Sequence, residues 1–122
     1  MPTRIQRRRT KGWKMPPHTV IVDRSSGFGN PFPVSKAKST SMGVTSDVWV
    51  VGTWEGPAMW FKDTKHEAHK LAVSAFRTWI EHPPQAKLLA SVKSKLRGKN
   101  LACWCKPDEP CHADVLLEIA NS

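Results

Sequence analysis

An α/β fold is what this chain predicts: one small domain, a sandwich with a short and mainly parallel sheet in a Rossmann-like architecture. Three observations carry the expectation. β-rich runs at residues 19–22, 47–52 and 100–105 are spread along the chain, helical periodicity fills the gap between the last two, and one more helix follows the third run. A connection that contains two helices demands a parallel crossover or a long return. Helical residues outnumber strand residues, so the sheet is short.

The elements follow in order. Residues 1–17, MPTRIQRRRTKGWKMPP, show no apolar periodicity and end in a Pro-Pro pair, which predicts a basic extended arm ahead of a single domain at 18–122. Thr19, Val20, Ile21 and Val22 form a contiguous β-branched run, a buried strand. It leads into a loop from Asp23 to Phe32 that carries Arg24, Ser25, Gly29 and Asn30, and loops at the carboxyl ends of strands are where open α/β sheets take ligands. The loop is neither a P-loop nor a dinucleotide fingerprint, and a structural turn is the competing reading. Residues 33–47, rich in Ser, Thr, Lys and Gly, read as a mobile loop before the strand at 47–52, with an aromatic connection at 54–61. Thr64-Lys65-His66-Glu67 fits a capping box, so a helix starts there and stops before Pro83 and Pro84, with Ala68, Leu71, Ala72, Ala75, Phe76 and Trp79 inward. His66 and His69 read as part of its solvated face. A second helix at 84–96 turns Leu88, Leu89, Val92 and Leu96 inward, and Gly98 stops it.

The last third is the most purposeful. All three cysteines and one of the five histidines fall within ten residues, 103–112. A strand over 100–105, a turn at 106–108 and a helix from Pro110 make a strand-loop-helix corner, with Cys103 and Cys105 on one face of the strand and Trp104 on the other. Offsets of three, four and seven put His112, Val115, Leu116 and Ile119 on one inward stripe. Three readings stay open. Cys103, Cys105, Cys111 and His112 are the soft and borderline donors that zinc prefers, although neighbouring ligands on a helix point about 100° apart, which argues against closing a tetrahedron through Cys111 and His112. Alternatively the corner is an active or binding site, in which a helix N-terminus binds an anion and lowers the Cys111 thiol pKa. In the third reading the cysteines are small hydrophobes and His112 is a satisfied core residue.

Composition narrows the classes. The net charge of +9 points to a polyanionic partner. Its placement says more: Arg4, Arg7, Arg8, Arg9, Lys11 and Lys14 give the first 14 residues +6 without one acid, leaving the rest at +3. Trp13 among these cations can stack on a base or pin the arm to the body. The basic start lacks the apolar core of a secretory leader, so a cytoplasmic protein with reduced thiols is expected. No window approaches the roughly 18 apolar residues of a membrane span.

Taken together, the basic Arg-Ile-Gln-Arg-Arg-Arg-Thr-Lys-Gly-Trp start, Gly29-Asn30-Pro31-Phe32, and the run from Leu96 through Cys103-Trp104-Cys105 to Pro110-Cys111-His112-Ala113-Asp114-Val115-Leu116 resemble domain-of-unknown-function family 4326, small bacterial and phage proteins. The resemblance implies that residues 29–32 and 103–112 are two signature regions of one site, and it brings no reaction with it. Phe28 stands where the family usually has Trp, and the stretch at 36–47 is long.

The expected function is therefore a nucleotide- or nucleic-acid-directed protein, in its stronger form an enzyme acting on a nucleoside, nucleotide or modified base. Cys105 or Cys111 would be nucleophile, His112 acid or base and Asp23 a supporting carboxylate. Arg24, Ser25, Gly29 and Asn30 would bind the ligand, with Arg4, Arg7, Arg8, Arg9, Lys11, Trp13 and Lys14 on nucleic acid. The contrasting classes are a non-catalytic nucleic-acid-binding module, with zinc as its stabilising cofactor, and a phage-type protein that uses its basic surface to occupy a protein partner.

Overall fold

The structure is a computed structural model that describes residues 2–23, 26–53 and 56–122, the side chains of 56–59 excepted. In chain order it contains β1 (Arg4–Gln6), β2 (Thr19–Ile21), β3 (Val34–Ser41), β4 (Val44–Thr53), β5 (Gly56–Lys62), α1 (Lys65–Ile80), α2 (Ala86–Lys95), β6 (Asn100–Cys103) and α3 (His112–Ala120). The content is mixed α/β, as expected. The sheet is not a single, mainly parallel one. Among the described residues, one three-stranded sheet runs β1-β6-β2 and a second runs β3-β4-β5. The first is parallel throughout and the second antiparallel throughout.

β6 lies at the centre of the parallel sheet because its residues Leu101, Ala102 and Cys103 are all apolar and all buried, the pattern of a strand covered on both faces. It aligns Gln6 with Cys103 on one side and Ile21 with Ala102 on the other. The basic segment is extended, yet Arg4–Gln6 belongs to the body as an edge strand rather than to a free arm. A three-residue strand with one apolar side chain, Ile5, leaves no periodic signal.

The antiparallel sheet replaces the mobile loop expected at 33–47. β3 and β4 pair without a break from Val34↔Val51 to Ser41↔Val44. Met42 and Gly43 both take positive φ, 52° and 77°, which suits the two-residue turns of right-twisting hairpins. The Ser, Thr and Lys residues of β3 are those of a strand largely facing solvent, and Lys36 and Lys38 both pair with Asp47 across the ladder.

α1 starts where the capping box places it, with Thr64 Oγ1 accepting from the Glu67 N–H at 3.1 Å. Its buried stripe is Ala68, Ala72, Phe76 and Ile80, a spacing of four, so Leu71, Ala75 and Trp79 flank the core rather than centre it. A 3-10 turn at Pro83–Gln85 absorbs the prolines before α2, whose Val92 is buried along with Leu96 just past its end. Gly98 ends the turn with φ +73°. α3 buries Ala113, Val115, Leu116 and Ala120 against β6 and the other helices. α1 packs on both the antiparallel sheet and α3, which joins the two layers.

Candidate functional site

Three parallel strands end at the same edge of a sheet, and the residues that follow them meet there. Arg7 follows β1, Asp23 lies just beyond β2, and Trp104 and Cys105 follow β6. The Arg7 guanidinium pairs with the Asp23 carboxylate and stacks over the Trp104 ring, 4.4 Å from its centroid. Arg9 stacks on the same indole at 4.9 Å. Arg7, Asp23, Trp104 and Cys105 line a cleft of about 690 Å³, a volume in the range of small-molecule sites. Phe32, Val34, Ala72 and Val73 supply apolar wall, and Asn30, His69, Cys111 and His112 supply polar groups. Asn30 is already engaged in holding the loop: its Nδ2 donates to the Ala72 carbonyl at 3.1 Å and its Oδ1 accepts from the Phe32 N–H at 2.9 Å.

The thiols form the inner end of the cleft. The Sγ atoms of Cys103, Cys105 and Cys111 all lie within 4.8 Å of one another, with Cys103 and Cys111 in contact at 3.2 Å. Cys103 and Cys111 are buried and Cys105 is half-buried. The loop that carries them is clamped by Arg4, whose guanidinium donates to the carbonyls of Lys106 at 3.1 Å, Pro107 at 2.6 Å and Glu109 at 2.8 Å, and pairs with Asp114 at 3.0 Å. His112 sits beside the thiols. Its Nδ1 is 3.7 Å from Cys111 Sγ, its Nε2 is 2.6 Å from the Val22 carbonyl, and its ring meets Phe76 edge-on at 5.4 Å.

Proton placement in this cluster differs from the expected low-pKa Cys111. Hydrogen bonds from Cys105 and then Cys111 hold the Cys103 thiol down to about 3, because two S–H groups point at one sulfur. Cys105 is correspondingly pushed up to about 11 by the proton it shares with Cys103. Cys111 is raised as well, first by its hydrogen bond to Cys103 and next by Cys105, so the helix N-terminus does not govern it. Like charges this close cannot all ionise, and one thiolate excludes the next. Burial lowers the His112 pKa, so an imidazolium does not assist Cys111 either. The expectation that the helix and His112⁺ lower the Cys111 pKa is therefore corrected. Cys103 is the sulfur the surroundings favour as thiolate.

Of the remaining expected residues, Arg24 and Ser25 lie outside the described residues. Of Gly29 and Asn30, Asn30 lines the cleft that holds the thiols and Gly29 does not, while Asp23 is committed to Arg7. The cations of the N-terminal segment divide by role. Arg4 and Arg7 are partly buried and bonded to the body, Arg9 lies on Trp104, and Arg8, Lys11 and Lys14 are exposed. Trp13 is half-buried, next to a turn closed by its N–H to the Thr10 carbonyl at 3.0 Å.

His69, expected on a solvated face, instead lines the cleft, half-buried, with its pKa lowered by burial. The signal for it in the sequence is its place beside Ala68 at the border of the apolar stripe. Phe32 and Val34 have none, since the cleft wall exists only once the hairpin is folded.

A family model described as "Domain of unknown function (DUF4326)" matches residues 5–122, and the chain belongs to that family. No curated protein and no solved structure matches. Among the described residues no helix is long and apolar enough to cross a membrane.

Proposed function

We propose that this member of the DUF4326 family is a nucleotide- or nucleic-acid-directed protein that takes a base against Trp104 and phosphate at the neighbouring cations. One observation carries the reading. The Trp104 indole is 41% exposed at the mouth of the cleft, with two guanidinium groups stacked on it, at the carboxyl edge of a parallel sheet. Aromatic faces stack on any base, and arginine adds both charge and a planar surface to such a platform. Arg8, Lys11 and Lys14 extend the positive surface along the same N-terminal segment. An enzyme acting on a nucleoside, nucleotide or modified base is the stronger form of the reading, and the cleft would be its substrate site. Rossmann-like describes the parallel layer and the ligand edge we assign to it, not the antiparallel sheet. Three free thiols suit the reducing cytoplasm.

The test is binding of single-stranded DNA, single-stranded RNA and free nucleotides, followed by anisotropy or calorimetry across a salt series. Deleting the N-terminal segment is unsuitable, since it would remove β1. Joint replacement of Arg8, Lys11 and Lys14 by Ala should lower affinity and flatten the salt slope, by about 0.7 for each phosphate of a single strand that is no longer neutralised. Trp104→Ala should weaken binding by about 1–3 kcal/mol per stacked base and leave the slope nearly unchanged. Absence of binding at low salt to all three ligand types would reject the reading.

A further inference from the structure

The stacking platform makes no use of the donor set at the inner end of the cleft. We propose that Cys103, Cys105, Cys111 and His112 Nδ1 bind one zinc ion, a centre that locks the strand-loop-helix corner. Ligand sulfurs in a tetrahedral zinc site stand about 3.8 Å apart, given Zn–S distances of about 2.3 Å. The three Sγ atoms already lie within 4.8 Å of one another, and the 3.2 Å Cys103–Cys111 contact needs to open by only a fraction of an ångström.

The fourth donor follows from hydrogen bonding. A carbonyl only accepts, so the 2.6 Å contact to Val22 requires that His112 Nε2 carry the ring proton. Nδ1 then presents a lone pair toward Cys111 Sγ at 3.7 Å, but it does not lie within 4.8 Å of all three sulfurs, so closing the tetrahedron requires the ring to move toward Cys103 and Cys105 by about an ångström or more. Metal-ligating histidines usually have this outer hydrogen bond, with the second ring N–H given to a carbonyl or carboxylate. The sequence objection, two adjacent ligands on one helix, does not apply. Cys111 is the N-cap of α3, with extended backbone at φ −145° and ψ 142°, so its side chain is outside the helical 100° progression.

Binding takes the Cys103 thiolate as it stands and exchanges the S–H bonds of Cys105 and Cys111 for S–Zn bonds, releasing two protons to solvent, while neutral His112 gives none. The resulting charge of −1 is set close to Arg4 and Arg7. Two alternatives use less of the arrangement. A Cys103–Cys111 disulfide, formed with loss of two protons and two electrons to a cellular oxidant, leaves Cys105 and the His112 lone pair without a role. Three free thiols leave the convergence of the sulfurs without one.

The experiment uses the full chain, expressed and purified without chelator under argon. Elemental analysis should give one zinc per chain. After zinc removal, Co²⁺ should produce intense thiolate-to-metal and tetrahedral ligand-field bands that Zn²⁺ abolishes on titration. Cys105→Ser, at the half-buried position, should lose more affinity than the roughly 10–100-fold that outer-shell changes cost. If that variant does not fold, the parent cobalt spectrum decides. His112→Gln should shift the ligand-field bands as nitrogen leaves the coordination set. Substoichiometric zinc together with an octahedral cobalt spectrum would overturn the proposal, as would an intact mass lighter by two hydrogens. An unchanged spectrum in His112→Gln would overturn the assignment of the fourth ligand. None of these readouts depends on nucleotide binding.

Discussion

Arg4 is the perturbation that best separates structure from binding, because charge alone would assign it to a polyanion. Its guanidinium instead holds the carbonyls of Lys106, Pro107 and Glu109, and its side chain is only 11% exposed. Hydrogen bonds from a charged group contribute about 1.5–3 kcal/mol each when taken singly, but three sharing one guanidinium are not additive. The Asp114 partner is 57% exposed, so that pair adds about 0–1 kcal/mol. A cost of about 3 kcal/mol for Arg4→Met, which keeps much of the apolar stem, is a fair central figure. At about 2.1 cal/mol/K of unfolding entropy per residue, 122 residues turn that loss into a Tm lower by about 12 °C. Calorimetry and urea melts measure it. Nucleic-acid affinity at a temperature where the variant remains folded should be unchanged. A melt within about 2 °C of the parent, or a loss of binding with stability intact, would refute the assignment of Arg4 to the fold.

Three further outcomes follow from the same geometry. Phe76→Ala should cost about 3–5 kcal/mol in denaturant melts, more than Trp79→Ala, because Phe76 is 1% exposed and Trp79 only flanks the core; the reverse order would mean the α1 register is wrong. Gly98→Ala places a side chain at φ +73° with open space around its Cβ, so the loss should be backbone strain alone, about 1 kcal/mol or 4 °C in Tm, and a larger loss would point to packing the glycine hides. Burial lowers the folded-state pKa of His69, so the unfolded chain takes up the proton first on acidification. Stability should therefore fall as pH drops through about 6.5, and level off once the folded form also protonates. His69→Gln should flatten that slope. Equal slopes in urea titrations of parent and variant would show that His69 is solvated after all.

Local chemistry by itself determined much of this protein. The Thr64 cap, the prolines after α1, Gly98 and the buried Leu101-Ala102-Cys103 run each act within a few residues, so helix limits and the central strand are readable from the chain. The same holds for the gathering of cysteines and His112 at one corner, since ten residues cannot spread far. Tertiary structure decided the rest. The polar strand β3 is held by its ladder with β4 and not by its own periodicity, so its sequence reads as a loop. Arg4 and Arg7 became structural only because β6, almost a hundred residues away, carries the loop and the indole they grip. Cys111 could be placed outside the helix only by its backbone angles, and those angles turned two adjacent residues from competing ligands into compatible ones. The proton order of the thiols is likewise a property of three sulfurs brought within 4.8 Å of one another, which no single residue or spacing encodes.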